Sequence, residues 1–146
     1  NAARTFRAAN AQMRQLSFGV TDLALHRDYD PARDGGVIAY SKAILQQYSA
    51  TPLPEDHAMI AGFTHLFANP VGYAAAYYSY KWAEVLDADA FSLFRDSGVF
   101  SREAGMRFRS RILELGDSED PAGLFRSLMG REPDPAALLA RAGLVA

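Results

Sequence analysis

The 146-residue chain contains no cysteine. That removes a disulfide framework, a thiolate nucleophile and a cysteine-based zinc finger, and it allows a reducing, cytoplasmic setting. There is no excess of positive charge: 15 Lys+Arg stand against 17 Asp+Glu, a formal net charge of −2, with neither sign gathered into a tail. A nucleic-acid binder needs a basic stripe to neutralise phosphates, so no nucleic-acid partner is expected. Apolar runs stop well short of the roughly 20 residues that cross a bilayer, and no basic-then-apolar leader opens the sequence, so no membrane partner is expected. Several catalytic signatures are also missing: His-Glu-x-x-His, Gly-x-Ser-x-Gly, a Gly-rich phosphate loop and Gly-x-Gly-x-x-Gly. The residues alone assemble no complete set of nucleophile, base and metal.

What is present is helical periodicity. A hydrophobic share of 49% over 146 residues suits one globular domain, residues 1–146. Phe6, Ala9, Met13 and Leu16 keep the three-to-four spacing of a helix from Ala3 to about Phe18, and Val20, Leu23 and Leu25 carry apolar character on towards His26. Asp28-Tyr29-Asp30-Pro31 reads as a break, because the residue before proline leaves the helical region. A second helix is expected from Asp34 to about Tyr48, ended by Thr51-Pro52-Leu53-Pro54. Residues 52–72 read as mostly irregular, with one short turn around Asp56–Phe63. The longest uninterrupted segment runs from Gly72 to Asp96. Ser101 is a natural N-cap for a helix to Leu115, and Gly116 a natural stop. Asp120-Pro121 and Asp134-Pro135 each set a capping acid before a proline, and Gly130 and Gly143 close the two short helices that follow. With no strand alternation, the fold class is all-α, a multi-helix bundle. The chain starts at Asn1 without methionine while helical periodicity is already running by Phe6. That start is read as an expression scar or as the edge of a piece of a longer protein.

Tyrosines concentrate in one place. Four of the seven fall at Tyr73, Tyr77, Tyr78 and Tyr80. On a helix turning about 100° per residue, Tyr73, Tyr77 and Tyr80 share a stripe with Glu84, Asp87 and Phe91. Tyr78, Trp82, Val85, Leu86 and Leu93 cover much of the opposite side, which suggests a helix buried among neighbours. Buried hydroxyls need partners, so each tyrosine could simply pack its ring and tie its hydroxyl to a carbonyl or carboxylate. The alternative is a wall of phenol donors facing a ligand, suited to an oxyanion or a peptide carbonyl because a phenol donates without carrying charge. His65, eight residues before Tyr73, is either a hydrogen-bonded structural residue or part of that wall. His26 and His57 lack supporting neighbours. Glu55-Asp56-His57 in a proline-bounded loop and the Glu84/Asp87 pair are poor metal sites.

The stretch Phe63-Thr64-His65-Leu66-Phe67, followed by Gly72-Tyr73 and the run Tyr77-Tyr78-Ser79-Tyr80-Lys81-Trp82-Ala83-Glu84-Val85-Leu86, resembles the C-terminal region of the M3 family of zinc metallopeptidases, the group of oligopeptidase A, thimet oligopeptidase and dipeptidyl carboxypeptidase. Met13-Arg14-Gln15-Leu16, Asp22-Leu23-Ala24-Leu25-His26 and the tail Leu124 to Pro133 extend the likeness along nearly the whole chain. The oligopeptidase A branch is the most similar. The resemblance implies the C-terminal portion of a larger helical zincin-type peptidase. Its zinc would be held by residues upstream of this chain, leaving no metal ligand here and the chain inactive alone. It also implies a substrate-facing His-loop-Tyr segment. By carry-over, Tyr80 and His65 stabilise the oxyanion or hold the peptide backbone, Tyr73 contacts substrate from the loop, and Tyr77 assists. The loop Ala68-Asn69-Pro70-Val71-Gly72 is longer than the family's Gly-Gly form.

The implied function is zinc-dependent hydrolysis of short peptides in the cytoplasm. The missing N-terminal part of the same polypeptide would be the partner, and apolar surface left bare would favour self-association. A non-catalytic helical module that binds peptides or a protein is the competing reading.

Overall fold

The computed structural model describes residues 2–145, and among them every regular element is helical. The protein is therefore all-α. Its contacts divide it into two compact units, residues 1–81 and 82–146.

In the first unit, α1 (Ala2–Thr5) precedes α2 (Ala8–Arg27), and Arg7 separates them in the left-handed region at φ 58°. The single helix expected from Ala3 is thus broken at its start and runs nine residues past Phe18 at its end. Gly19 lies within α2 without interrupting it. A Cβ at that position would sit 3.5 Å from the Cα of Tyr78, an ordinary van der Waals contact, so α2 passes close to the tyrosine segment here. α3 (Pro31–Asp34) starts at Asp30, whose carboxylate accepts from the Ala32 N–H at 2.9 Å. That turn is a third use of the Asp-Pro cap, in a segment expected only to break. α4 (Val37–Gln47) packs on α2, and two 3₁₀ turns follow, Met59–Gly62 and Thr64–Phe67. Phe18, Leu45, Ile60, Phe63 and Leu66 form the core, with Leu25, Leu53, Met59 and Tyr77 packed against it. Burying side chains of this size stabilises by roughly 1.5–3 kcal/mol each, which fixes the two 3₁₀ turns over α2.

α5 (Ser79–Ser97) starts seven residues after the expected Gly72. Residues 73–78 instead form successive tight turns, with Ala76 N–H donating to Tyr73 O at 3.0 Å and Ser79 N–H to Ala76 O at 3.0 Å. The expected single helical stripe through Tyr73, Tyr77 and Tyr80 therefore does not exist as such. Nor is α5 apolar and buried all round. Its buried face is Val85, Ala88, Asp89 and Ser92, whereas Tyr78, Trp82 and Phe91 stand 60, 52 and 49% exposed.

In the second unit, Ser101 caps α6 (Arg102–Phe108), its Oγ accepting from Ala104 N–H at 3.2 Å. The helix continues as a π turn, Arg109–Leu113, before Gly116 turns out at φ 56°. α7 (Pro121–Met129) has Pro121 at its first position and Asp120 Oδ2 accepting from Gly123 N–H at 3.0 Å, and it ends at Gly130 with φ 74°. Asp120→Ala should lower the stability of this unit by about 1 kcal/mol, read as a lower urea midpoint at unchanged slope. α8 (Ala136–Arg141) begins one residue later than the Asp-Pro pattern suggests, with Asp134 Oδ1 accepting from Ala136 N–H at 2.8 Å. Val85, Ala88 and Leu138 pack together in this unit, and Leu124, Phe125 and Leu128 are also buried.

Candidate functional site

The loop before α5 is built by side chains that capture backbone N–H groups. Asn69 Oδ1 accepts from Val71 N–H at 3.0 Å and also from Gly72 N–H, closing an Asx turn. A Cβ at Gly72 would fall 2.7 Å from Asn69 Nδ2, so a larger residue there would displace the Asn69 side chain from this turn. Residues 69–72 thus form an ordered turn. Ala75 then sits at φ 55°, a left-handed conformation that costs a non-glycine residue on the order of 1 kcal/mol or more.

What holds Ala75 there is the next link. Asp22, 1% exposed on α2, accepts from Tyr77 N–H at 2.8 Å through Oδ2, while His26 Nδ1, 2.9 Å from Oδ1, makes its hydrogen bond to the Asp22 carbonyl oxygen at 2.9 Å. The Tyr77 amide would have paired with the Tyr73 carbonyl had the helix begun at Gly72. A buried carboxylate is the stronger acceptor, which explains the late start of α5. The His26 ring in turn stacks on Phe67 with centroids 5.1 Å apart.

This scaffold brings all four sequence-selected residues together, although by turns rather than by a helical stripe. The edge of His65 meets the Tyr73 ring at 5.0 Å and 86°, and its centroid lies 6.0 Å from that of Tyr77. Tyr73 and Tyr80 stack at 6.0 Å and 20°, with their hydroxyl oxygens 2.6 Å apart. Tyr77 meets Tyr80 edge-on at 5.1 Å and lies over Phe63 at 5.1 Å and Phe18 at 5.9 Å.

Burial separates their capacities. Tyr73 and Tyr80 are 39 and 42% exposed and His65 is also exposed, so all three can meet a ligand. Tyr77 is half-buried, and its hydroxyl donates to Gln15 Oε1 at 3.0 Å, which makes it a support for the others. Burial pushes the Tyr77 phenol above its ordinary value. The hydrogen bond with Tyr73 does the same for Tyr80, helped by desolvation. Both phenols therefore keep their protons at neutral pH and act as donors. Because one hydroxyl of the Tyr73–Tyr80 pair donates to the other, one O–H proton is always free to point outward. The oxygen that accepts within the pair becomes the better donor.

Among the described residues, no group of three or more His, Asp or Glu side chains could hold a metal ion. Glu55-Asp56-His57 and the Glu84/Asp87 pair do not fit one, and the zinc implied by resemblance does not fit these residues. Residue type and spacing do not single out the supporting residues Gln15, Asp22 and Asn69. A signal existed: Ser17, Thr21 and Asp22 are polar positions on the α2 face that also carries Phe18, and all four are buried.

An all-α chain that presents a row of uncharged donors on a tied-down loop is the class that fold and geometry define. Residues 1–144 match Peptidase family M3, and the chain belongs to that family. It is 46% identical over 150 residues to the Arabidopsis thaliana protein named probable cytosolic oligopeptidase A, covering 99% of this chain and 21% of that protein. Against oligopeptidase A of Escherichia coli (strain K12) the identity is 41% over 143 residues, covering 98% of this chain and 21% of the relative. Dipeptidyl carboxypeptidase of the same bacterium matches at 42% over 82 residues, 56% of this chain and 12% of its own length. The chain thus spans about a fifth or less of the length of the curated relatives it matches.

Proposed function

We propose that this chain is the C-terminal part of a zinc-dependent oligopeptidase and forms one wall of its active site, within a catalytic domain larger than residues 1–146. The observation that carries the reading is the Tyr73–Tyr80 hydroxyl pair, 2.6 Å apart on exposed rings beside His65. In this reading Tyr80 and His65 donate to the carbonyl oxygen of the peptide under attack and to the oxyanion it becomes. Tyr73 donates to the neighbouring backbone, and Tyr77, anchored on Gln15, sets the angle of Tyr80. Preorganised donors act where charge develops, which is where binding energy lowers a barrier most. Zinc belongs, in this proposal, to the part of the protein outside residues 1–146, and the chain is inactive without it. Substrates are short peptides. The names of the matched oligopeptidases support that class, and the cytosolic name of one supports a cytoplasmic location. No described helix is long and apolar enough to cross a membrane.

The upstream part of the polypeptide is the proposed partner. Met13, Leu16, Val20 and Leu23 lie along α2 at 39–43% exposure, an apolar stripe suited to covering by that part or, in its absence, by a second copy. The test compares the 146-residue chain with the same chain joined to its upstream sequence, on a short fluorogenic peptide. The joined protein should cleave it and lose activity to a chelator, while the short chain should not. Cleavage by the short chain alone would overturn the division of labour. An upstream reading frame without His-Glu-x-x-His would favour the non-catalytic binding module.

A further inference from the structure

We infer that the first unit carries a second site, distinct from the tyrosine wall, for a small organic carboxylate with an apolar body. A cavity of about 300 Å³ opens between α2, α4 and the loop around Thr51. Arg7, Arg14 and His57 line it, and no aspartate or glutamate does. Several arginines elsewhere in the chain sit against carboxylates, among them Arg27 on Asp28, Arg33 on Asp34 and Arg95 on Asp96. Among the described residues Arg7 and Arg14 pair with none. Two unneutralised guanidiniums at one cavity, in a chain of net charge −2, concentrate positive potential there.

Arg14 is also positioned. Its guanidinium lies over the Phe18 ring, 5.0 Å from the centroid, which leaves the N–H edge free to grip a carboxylate in two-point fashion. Arg7 occupies the N-cap of the 20-residue α2, and no side chain caps that end, so the positive end of the helix dipole adds to the two guanidiniums. Its positive φ of 58° is the kind of local strain that recurs at ligand clamps. The rest of the lining sets the body of the ligand. Asn10, Ser17, Ser49 and Thr51 make much of the lining polar, and within it Phe18, Leu45, Leu53 and Met59 form an apolar floor that a bare inorganic anion would leave uncovered. Its volume is at the small end of ligand pockets, which run from about 300 Å³ upwards.

The site is tested by calorimetry on the 146-residue chain with three probes: octanoate, 1-octanol and inorganic phosphate. Octanoate should bind, and the other two should bind at least about tenfold more weakly, since one lacks the charge and the other the body. Arg14→Gln and, separately, Arg7→Gln should each weaken octanoate about tenfold or more, the scale of one charge-assisted contact. Arg7 is exposed, so its variant keeps the test valid should Arg14→Gln fail to fold. Octanol or phosphate binding as tightly as octanoate would overturn the inference. So would octanoate binding equally in both variants, the outcome expected if it enters the apolar cavity of the second unit lined by Phe91, Phe94, Phe108 and Phe125.

Discussion

Tyr80→Phe, made in the chain joined to its upstream sequence, should lower kcat by about 10²–10³-fold with little change in KM, the signature of a donor that acts only in the transition state. The substitution removes one oxygen and keeps the ring. Stacking on Tyr73 and the edge contact with Tyr77 survive, so circular dichroism and thermal stability should match the parent. At 42% exposure the site readmits water, and the Tyr73 hydroxyl finds a new partner at little cost to folding. Tyr73→Phe should be milder, because Tyr80 keeps its own proton and loses only the polarising neighbour. Tyr77→Phe should act through position: Gln15 is left without its donor, and a smaller loss of kcat should accompany a small loss of stability. Full activity in Tyr80→Phe would remove the role assigned to it and leave His65 as the remaining donor candidate.

Much of this site was legible in the sequence, but by a route the structure corrects. The clustering of Tyr73, Tyr77 and Tyr80 behind a loop and His65 pointed to a shared wall, and the rings do meet. The spacing predicts one helix from Gly72, whereas α5 starts at Ser79. Local spacing could not reveal that, because the decisive interaction is non-local: Asp22, 55 positions upstream, takes the Tyr77 amide. Caps were the most legible part. Ser101, Asp120 and Gly130 all act where their residue types suggest, since a cap depends on neighbours within a turn. The buried side of α5 was misjudged for a related reason. Trp82 and Phe91 look like core residues by type, yet they are exposed, and the acid Asp89 is buried instead. A burial pattern read from hydrophobicity alone cannot anticipate an acid whose partner arrives from the far end of the chain.

That acid carries the second large effect. Asp89→Ala should destabilise the second unit by about 2–3 kcal/mol, because three donors lose one acceptor. Asp89 is 1% exposed, and its Oδ2 accepts from Arg131 Nη1 at 2.7 Å and from the Asp134 N–H at 2.8 Å, while Oδ1 accepts from Arg131 Nη2. The carboxylate thus pins the segment after α7 to α5 and sets the start of α8. The Arg131 side chain is 45% exposed and regains water when the acid is lost, which keeps the cost below that of a fully buried pair. The pH dependence follows from the same geometry. Hydrogen bonds from Arg131 hold the Asp89 carboxyl below its ordinary value against the opposing effect of burial, with the Asp134 amide helping. A folded pKa lowered in this way adds stability that is fully present above the unfolded value, near pH 4, and is lost as pH falls through the folded one. The melting temperature of the second unit should therefore drop on acidification below about pH 4. Asp89→Asn should start lower at neutral pH and lose less over the same acid range, because its amide does not titrate. Parallel acid curves for parent and Asn variant would mean that other carboxylates govern the acid response of this unit.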